Sequence, residues 1–585
     1  MNNKKKYFFC INELSLLRFC IFMLIGRRPY FLAIDSIFPQ SEYFLNKVVD
    51  WGVKHRFARK AINLTPDLKP YLENNRRFYF KDVPKNYEPW QRNYFNFASV
   101  EKENQNYGYV FKLVTNTYIF EKVMQIYMIK SILSLEEKKD QIEIYGIWPD
   151  TIDFFVSYFS QQWTGGKKYW RTYLRFINVI LCGLALVFSL IRLCLKIRFK
   201  VARVQSNLAV DLLDDNRERH FLPELYKNIS RDRNFGPILC VQRLSNSKRS
   251  RKVDSENFIF TDLGGGAFSL WQSLGVLGFL VRDIIGLYLN FGTLSPRHFY
   301  HIAVLPDKKM RIRALLNKFP VRVFLGRDEY NPDHILRGQE LGRIGSHSFG
   351  LSNTFVTTWT SVAPNVRYVS YDKYFVYSHL HLSKQETYWD SNMKIFSTGC
   401  YGIPKSQLES LSTKTGDDIL VSVRIAFSAP EIIRMVRQLS KAFPKKTIVL
   451  RFLEDFIERE ALEELEGACM QGLSNITVSR EETYNLLPRC RYFVSDVSTI
   501  IAEAIQAKKM VFFADVLEMS FSVYRLFPGL SVKSAEELVD RISQLETGKA
   551  LYPHYEYINM LGLSQNKTAV DIIGEEIMAT IGKSF

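Results

Sequence analysis

The stretch VSDVSTIIAEAIQAKKMVFFAD, residues 494–515, decides the fold class of this 585-residue chain. It places a run of small hydroxyl residues and an Ala-rich helical segment between two apolar segments that have the composition of buried strands. The order strand, turn, helix and strand is typical of a parallel sheet with helices on its faces. Because ligands bind such sheets outside the carboxyl ends of the strands, we expect a ligand site at the turn 495–499.

The same alternation continues on both sides of this stretch. Short apolar strands alternate regularly with helices over 418–515, and a less regular series begins with FIFTD at 258–262. In that series we also predict strands over HIAVLP (301–306) and VRVFLG (321–326), and the chain begins as strand, helix and strand. We therefore predict an α/β protein with two Rossmann-like domains and a basic, apolar helical insert.

Composition narrows the class of protein and the kind of partner. Hydrophobic residues make up 47% of the chain and aromatic residues 14%, which excludes a disordered or fibrous protein. The formal net charge is +18, so we expect anionic partners, whether nucleic acid, acidic lipid or a phosphorylated substrate. The 8 Cys are scattered without the spacing of a zinc site, which indicates a reduced chain with no structural metal.

The insert combines an apolar run with basic flanks. FINVILCGLALVFSLI, residues 176–191, contains no charged residue, and Lys and Arg stand on both sides of it. The run is short for a bilayer crossing, and its flanks favour a helix that lies in an anionic membrane surface; a buried core helix is the alternative. Residues 270–292 carry Arg282 and Asp283 in the middle and predict an amphipathic helix at the same interface. Basic residues that surround an apolar helix argue against nucleic acid as the partner.

The residues of the opening stretch have two interpretations. Ser498 and Thr499 precede the helix at 500–507, where hydroxyl side chains commonly cap free backbone N–H groups. The same N–H groups favour an anion, and Glu503 lies one turn further on, where a carboxylate can accept hydrogen bonds from ribose hydroxyls. Simple capping and a nucleotide site both fit these residues.

The segment from Ser397 to Asp515 resembles the donor-binding domain of GT-B glycosyltransferases, in which a strand, a small-residue turn and a helix containing Glu-Ala hold the nucleotide sugar. More narrowly, it resembles the bacterial surface-polysaccharide group of Kdo-, sialyl- and polyol-phosphate transferases, in which a Ser/Thr pair replaces the commoner glycine-rich turn. The resemblance covers the last third of the chain well and residues 257–380 in outline. The family often has a Pro- or Gly-rich turn where this chain has Ser-Asp-Val at 495–497, and this departure leaves the donor class open.

The resemblance implies a set of donor-binding residues. They are Arg424 for phosphate charge, Glu482 or Tyr484 at the base, Ser498 and Thr499 at the phosphate, Glu503 at the ribose, and Ser495 in the same donor-binding set.

The acceptor half must supply a base if the reaction inverts, because a sugar hydroxyl is a poor nucleophile until its proton is taken up. The candidates are Asp262 after FIFT, Asp328 and Glu329 after VRVFLG, and His347 in RIGSHSFG. A solvated loop that caps a helix explains the adjacent carboxylates equally well, and a structural role explains the His. No D-x-D motif is flanked by apolar strand residues, so we expect no metal ion and no cofactor beyond the nucleotide-sugar co-substrate.

These inferences combine into one hypothesis. The chain is predicted to be a glycosyltransferase that moves a sugar, expected from a CMP-sugar such as CMP-Kdo, to a lipid-linked or growing surface polysaccharide at the cytoplasmic face of the inner membrane. The alternatives are a CDP-polyol phosphotransferase on the same fold and a non-catalytic membrane-bound scaffold. The predicted domains are an N-terminal α/β part of the acceptor domain at 1–160, the membrane-associating insert at 161–255, the remainder of the acceptor domain at 256–385, the donor domain at 386–565, and a C-terminal helix at 566–585 that packs back on the first half.

Overall fold

The computed structural model describes the backbone of four short strands before residue 170 and most of the chain after it. The described ranges are 5–9, 30–32, 59–60, 142–145 and 170–582, with gaps at 213–215, 231–234, 243–256, 295, 328–331, 353–368, 382–391, 403–407, 410, 412–415, 424–428, 453–458, 497, 517–521 and 563–566. The chain divides into two compact units, one made of Met1–Ser189 and Phe279–Pro306 and the other of Leu190–Gly278 and Asp307–Phe585.

The first unit contains a small parallel sheet. Its strands are β1 (Lys5–Phe9), β2 (Tyr30–Leu32), β3 (Arg59–Lys60) and β4 (Ile142–Tyr145), in the order β3-β2-β1-β4. The two strands predicted near the start of the chain are confirmed as β1 and β2. The helix predicted between them lies outside the described residues.

The described part of the chain also contains helices, which are numbered here in chain order. They are α1 (Trp170–Lys196), α2 (Asn216–Ile229), α3 (Leu270–Phe291), α4 (Pro296–Ala303), α5 (Leu305–Lys318), α6 (Asp333–Arg343), α7 (Ala429–Ala442), α8 (Arg459–Met470), α9 (Thr483–Leu486), α10 (Ile500–Gln506), α11 (Ala535–Glu546), α12 (His554–Met560) and α13 (Ala569–Gly582), with 3₁₀ turns at His379–His381, Leu487–Arg489 and Val523–Leu526.

A seven-stranded sheet forms the first half of the second unit. Its strands are β5 (Ser206–Leu212), β6 (Ile238–Gln242), β7 (Phe258–Asp262), β8 (Val321–Gly326), β9 (His347–Leu351), β10 (Lys373–Val376) and β11 (Lys394–Ser397), in the order β11-β10-β9-β8-β5-β6-β7. All neighbours pair in parallel. The central strands carry consecutive buried apolar residues, such as Leu208, Ala209 and Val210 in β5. Such runs are typical of a parallel sheet that is covered on both faces.

A six-stranded sheet forms the second half of the same unit. Its strands are β12 (Asp418–Val423), β13 (Ile448–Phe452), β14 (Ile476–Val478), β15 (Cys490–Ser495), β16 (Met510–Ala514) and β17 (Ser531–Val532), in the order β14-β13-β12-β15-β16-β17. It is also parallel throughout. Tyr492, Phe493 and Val494 are consecutive and fully buried, because helices cover both faces. The α/β class with parallel sheets is therefore confirmed.

The two large sheets share one hydrophobic core. A single cluster of buried side chains contains Leu325 and Phe375 from the seven-stranded sheet and Leu420 and Phe493 from the six-stranded sheet. Ile573 of α13 belongs to the same cluster. Burial of this continuous apolar surface is the main force that holds the two sheets in one unit.

Helix α13 packs against the seven-stranded half. Asn228 of α2 donates a hydrogen bond to Asp571 at 2.7 Å, and Lys373 of β10 forms an ion pair of 2.7 Å with Glu576. Arg322 of β8 donates to the carbonyl of Ile581 near the end of the helix. The end of the chain thus returns to the sheet that contains β8 and β10.

One predicted strand is a helix in the structure. HIAVLP at 301–306 forms the end of α4 and the start of α5. Phe299, Ile302 and Ala303 are almost completely buried, at a spacing that places them on one face of a helix. A short apolar run of this kind is compatible with a buried helix and with a buried strand. The helical spacing of the buried residues Phe299, Ile302 and Ala303 agrees with the helix that the structure shows.

Two predicted domain boundaries are also corrected. The range 161–255, predicted as an insert, contains β5, α2 and β6, and β5 lies in the middle of the seven-stranded sheet. These strands stand among basic residues, so composition alone hides them. The boundary at 385/386 falls before β11, which pairs with β10 through Tyr374 and Ile395 and so belongs to the first large sheet.

Candidate functional site

The carboxyl end of β15 lies in the middle of the six-stranded sheet, between β12 and β16. Ser495 is the last residue of the strand and is only 1% exposed. Its Oγ is buried and has no hydrogen-bond partner among the described residues. A buried hydroxyl without a partner carries a desolvation cost that a ligand atom can remove.

Glu503 is the unusual residue of helix α10. Its neighbours Ile501, Ala502, Ala504 and Ile505 are fully buried, as expected for a helix that packs on a sheet, and Glu503 is 0% exposed as well. A buried carboxylate is costly unless hydrogen bonds compensate it. The hydroxyl of Tyr484, on the short helix α9, supplies one such bond by donating to Oε2 at 2.5 Å.

The turn between β15 and α10 is not explained by helix capping. Thr499 occupies the N-cap position of α10, yet its side chain makes no capping hydrogen bond. The carbonyl of Ser498 accepts a hydrogen bond of 2.7 Å from the hydroxyl of Tyr524. Asp496 and Thr499 are both buried. Tyr524 therefore contributes to holding the turn, and the capping interpretation loses its support at Thr499.

An arginine that was not predicted from the sequence lies at the same carboxyl edge of the sheet, after the neighbouring strand β16. Arg525 follows Tyr524 in the 3₁₀ turn, and its Nε donates to Oδ2 of Asp515 at 2.5 Å. Asp515 is buried directly after β16, the strand that pairs with β15 through Ser495 and Phe513. Nη2 of Arg525 is buried without a hydrogen-bond partner in the described part of the chain. The site thus contains a cation with remaining donor capacity at the carboxyl edge of the sheet.

Sequence signals for these additional residues were weak. The carboxylate at the end of MVFFAD was visible in the sequence, but Arg525 and Tyr524 are separated from it by a segment with no periodic pattern. They belong to a short 3₁₀ turn, which apolar periodicity does not reveal.

The predicted donor residues are brought together only in part. Tyr484 contacts Glu503, whereas Glu482, two residues earlier, is exposed at the N-cap of α9 and makes no side-chain capping bond. Arg424 lies outside the described residues; it follows Val423 directly in the sequence, at the end of β12. Ser422 of β12 pairs in register with Ser495 of β15.

Of the predicted catalytic residues Asp328, Glu329 and His347, the structure describes only His347. Asp328 and Glu329 lie outside the described residues, directly after Arg327 and the end of β8. His347 is the first residue of β9, where it pairs with Val323. It therefore stands at the amino edge of its sheet, whereas Ser495 and the α10 turn follow a carboxyl end.

His347 has a different environment of its own. Its Nδ1 lies 3.6 Å from Oδ2 of Asp372, and both side chains are about half exposed. With Arg203, Arg322 and Thr580 it lines a cleft of about 360 Å³. The structure therefore separates His347 from Glu503.

The seven-stranded sheet also contributes to the surroundings of α10. The backbone N–H of Cys400, shortly after β11, donates a hydrogen bond of 3.1 Å to Oε1 of Gln506, the last residue of α10.

A buried ion pair of 2.9 Å joins Asp211, near the carboxyl end of β5, to Arg337 of α6. Among the described residues, no group of three or more His, Cys, Asp and Glu side chains has the arrangement of a metal site.

Comparisons with known proteins return structural likeness and no sequence family. No protein-family model matches the chain, and no curated protein aligns with it significantly. Among solved structures, the chain is similar to a UDP-GlcNAc 2-epimerase from Neisseria meningitidis bound to UDP-GlcNAc, with 11% identity, a TM-score of 0.41, and coverage of 65% of this chain and 100% of that one. It is also similar to the wall teichoic acid polymerase TagF soaked with CDPG, with 8% identity, a TM-score of 0.40, and coverage of 71% and 97%.

A third similar structure is an O-GlcNAc transferase from Thermobaculum terrenum, with 11% identity, a TM-score of 0.34, and coverage of 75% of this chain and 82% of that one. Likeness at this level is too distant to carry an argument about activity. The chemistry of the site itself must therefore support the function.

Proposed function

We propose that this chain is a glycosyltransferase that uses a nucleotide-activated sugar. The observation that carries the proposal is the buried carboxylate of Glu503, held by the Tyr484 hydroxyl at the carboxyl end of a central parallel strand. Open parallel sheets bind nucleotides at such positions. A carboxylate of this kind matches the paired hydroxyl groups of a ribose.

The ribose is bound by Glu503 in this proposal. A carboxylate has about four acceptor positions, which is enough for the Tyr484 hydroxyl and for hydroxyl groups of a sugar. Tyr484 fixes the orientation of the carboxylate and places its own ring beside the nucleoside. The ring is half-buried, which suits a contact with the face of a base.

The donor phosphate is bound at the turn between β15 and α10. Ser495 offers a buried hydroxyl, and Ser498 and Thr499 add two more hydroxyl groups in the same turn. Arg525 supplies positive charge. Its Nε binds Asp515, and its Nη2 would donate to the phosphate. Arg424 remains a predicted second cation. These donors would stabilise the charge that develops on the leaving phosphate, which is why we propose a mechanism that needs no metal ion.

The transfer step joins the acceptor oxygen to the anomeric carbon of the sugar as the bond from that carbon to the donor phosphate breaks. The nucleotide leaves with the electron pair of the broken bond, and a base accepts the proton of the acceptor hydroxyl if the reaction inverts. Asp328 and Glu329 remain our candidates for this base because they follow β8 in the sequence. We propose a CMP-sugar such as CMP-Kdo as donor, and a lipid-linked or growing surface polysaccharide at the cytoplasmic membrane face as acceptor.

Binding of CMP, CDP, UDP, GDP and ADP to the full chain tests the donor site. We expect CMP to bind selectively, Glu503→Gln to abolish this binding, and Glu464→Gln, an exposed glutamate on α8, to preserve it. Preference for CDP would replace the CMP-sugar with a CDP-linked polyol donor. A folded chain that binds none of the five nucleotides would overturn the proposal.

A further inference from the structure

Helix α1 exposes large apolar side chains and buries several polar ones. Phe176 and Phe188 are 66% and 58% exposed, and Ile180, Leu184 and Val187 on the same face are also about half exposed. Asn178 and Ser189, in contrast, are 0% and 2% exposed. A helix on the surface of a protein in water has the opposite arrangement. The distribution in α1 is suited to a surrounding that is itself apolar.

Polar contacts join α1 to α3 on the buried side. Nδ2 of Asn178 donates to the carbonyls of Gly292 and Leu294 at 2.9 and 2.7 Å, and Sγ of Cys182 lies 3.8 Å from the carbonyl of Ile284. The two helices therefore run antiparallel. Small and polar side chains at a helix interface, with apolar residues outside, are typical of helices that pack within lipid.

Helix α3 also exposes large apolar side chains. Trp271 is 82% exposed, and Leu274, Ile285 and Leu289 are exposed along the same helix. Both Leu174–Lys196 and Leu270–Phe291 are long and apolar enough to cross a membrane by length and composition. Soluble chains rarely leave so much contiguous apolar surface in water. The helix pair therefore requires an apolar partner.

Charge indicates which apolar partner fits. On a helix with about 3.6 residues per turn, Arg175 and Arg192 fall on opposite borders of the apolar face of α1. Arg192 also forms an ion pair with Asp307, and its side chain is about half exposed. Arg198 and Lys200 follow the end of the helix and are exposed. Basic residues at the borders of an apolar face can contact anionic headgroups while the face enters the acyl region. A second protein would not require this arrangement on both borders.

Arg282 indicates how the pair lies in the membrane. Its side chain is 71% exposed and forms an ion pair of 2.8 Å with Asp283. It is about 18 Å along α3 from Leu270, which would place it near the middle of a bilayer that α3 crossed. An exposed guanidinium at that depth is costly, whereas it is favourable at the headgroup level.

We propose that α1 and α3 form a docking surface for an anionic phospholipid bilayer, and that both helices lie in the plane of the interface. The end of α1 is fixed to the seven-stranded half, because Nζ of Lys196 donates to the carbonyls of Leu263 and Gly264 in the turn after β7. This inference is independent of the proposed nucleotide chemistry.

Flotation of the full chain with lipid vesicles tests the proposal. We expect the chain to float with vesicles of phosphatidylcholine and phosphatidylglycerol, and to float less with phosphatidylcholine alone or at high salt. The variant Ile180→Glu/Leu184→Glu/Phe188→Glu should bind vesicles at least about tenfold more weakly. Because these side chains are exposed, the variant should keep the melting temperature of the parent.

The matched control is Leu551→Glu/Tyr555→Glu, which adds acidic residues at two other exposed apolar positions and should float like the parent. Equal flotation of the triple variant and the parent would overturn the proposal. So would a chain that does not float but forms a dimer that the triple variant abolishes, since a second copy would then cover this face.

Arg282→Gln tests the orientation. If the helices lie in the interface, the variant loses one attraction to anionic lipid, binds those vesicles more weakly and depends less on salt. If α3 crosses the bilayer, removal of a charge from the hydrocarbon region strengthens association instead, and the in-plane proposal is wrong.

Discussion

The hydroxyl of Tyr484 donates a hydrogen bond to Oε2 of Glu503 and so joins the short helix after β14 to the helix after β15. β12 lies between β13 and β15, so this contact links segments from separate parts of the six-stranded sheet. Glu503 is completely buried, and its neighbours along α10 are apolar. A helix that needed only to pack on the sheet would not require a carboxylate at this position.

Tyr484→Phe should lower both stability and nucleotide affinity. The change removes a hydrogen bond to a buried carboxylate, which costs about 1–3 kcal/mol of the free energy of unfolding. Urea denaturation measures this cost, and titration with CMP measures the affinity. The control is Tyr555→Phe, whose side chain is exposed and should change neither quantity. If Tyr484→Phe lowers stability but leaves CMP affinity unchanged, Tyr484 is a structural residue only.

Arg525→Gln should weaken phosphate binding more than nucleoside binding. A hydrogen bond from a guanidinium to a phosphate is charge-assisted, so we expect about ten- to hundredfold weaker binding of CMP and little change for cytidine. Arg525→Lys retains the charge but loses the planar donor geometry, and should show an intermediate effect. Isothermal titration with both ligands measures the difference. Equal losses for CMP and cytidine would show that Arg525 acts through the fold of the site.

The sequence allowed most of the six-stranded sheet to be predicted, for a physical reason. Each of its strands except the two-residue β17 is a short apolar run bounded by helices of clear periodicity, so pattern and length agree. β5 and β6 escaped prediction because their surroundings are strongly basic and suggested an insert. The strand predicted at 301–306 was wrong because a short apolar run does not distinguish strand from helix.

The grouping of the candidate residues was predictable where they are close in sequence. Ser495, Thr499 and Glu503 lie within one strand–turn–helix unit, so local order alone places them together. Arg525 and Tyr524 come from a 3₁₀ turn beyond the next strand, and only the fold brings Tyr524 to Ser498 and Arg525 to Asp515. His347 lies at the first residue of β9, and the sequence does not fix the residue at which a strand begins.

Cys490 should resist alkylation in the native chain, whereas Cys194 should react. Burial raises the pKa of the Cys490 thiol to about 12 and that of the Cys469 thiol to about 11, so both stay protonated in mildly alkaline buffer. Cys194 is exposed on α1. Iodoacetamide treatment followed by peptide mass spectrometry measures each site separately. Fast modification of Cys490 in folded protein would contradict the buried position of β15.

The same shift predicts how stability changes with pH. The ordinary pKa of the thiol is 9.0, so between this value and about 12 the unfolded chain releases a proton that native Cys490 retains. The native state then binds more protons, and its stability falls as the pH rises through this window. Below the ordinary pKa the contribution is fully present. Urea midpoints at neutral and at alkaline pH should differ less in Cys490→Ala than in the parent.

The buried ion pair between Asp211 and Arg337 should be essential for the seven-stranded sheet. Both side chains are more than nine-tenths buried, and the distance between Oδ2 and Nη1 is 2.9 Å. Arg337→Leu removes the guanidinium from a buried carboxylate, so we expect a loss of about 3–5 kcal/mol in the free energy of unfolding.

Asp211→Asn/Arg337→Leu should recover part of this loss, because the double variant no longer buries a charge beside an apolar side chain. Arg434→Leu is the matched control, since Arg434 forms an ion pair with Glu536 at an exposed position and its removal should leave the urea midpoint unchanged. If Arg337→Leu and Arg434→Leu have the same midpoint, the carboxyl end of β5 is solvated and the pair does not stabilise the sheet.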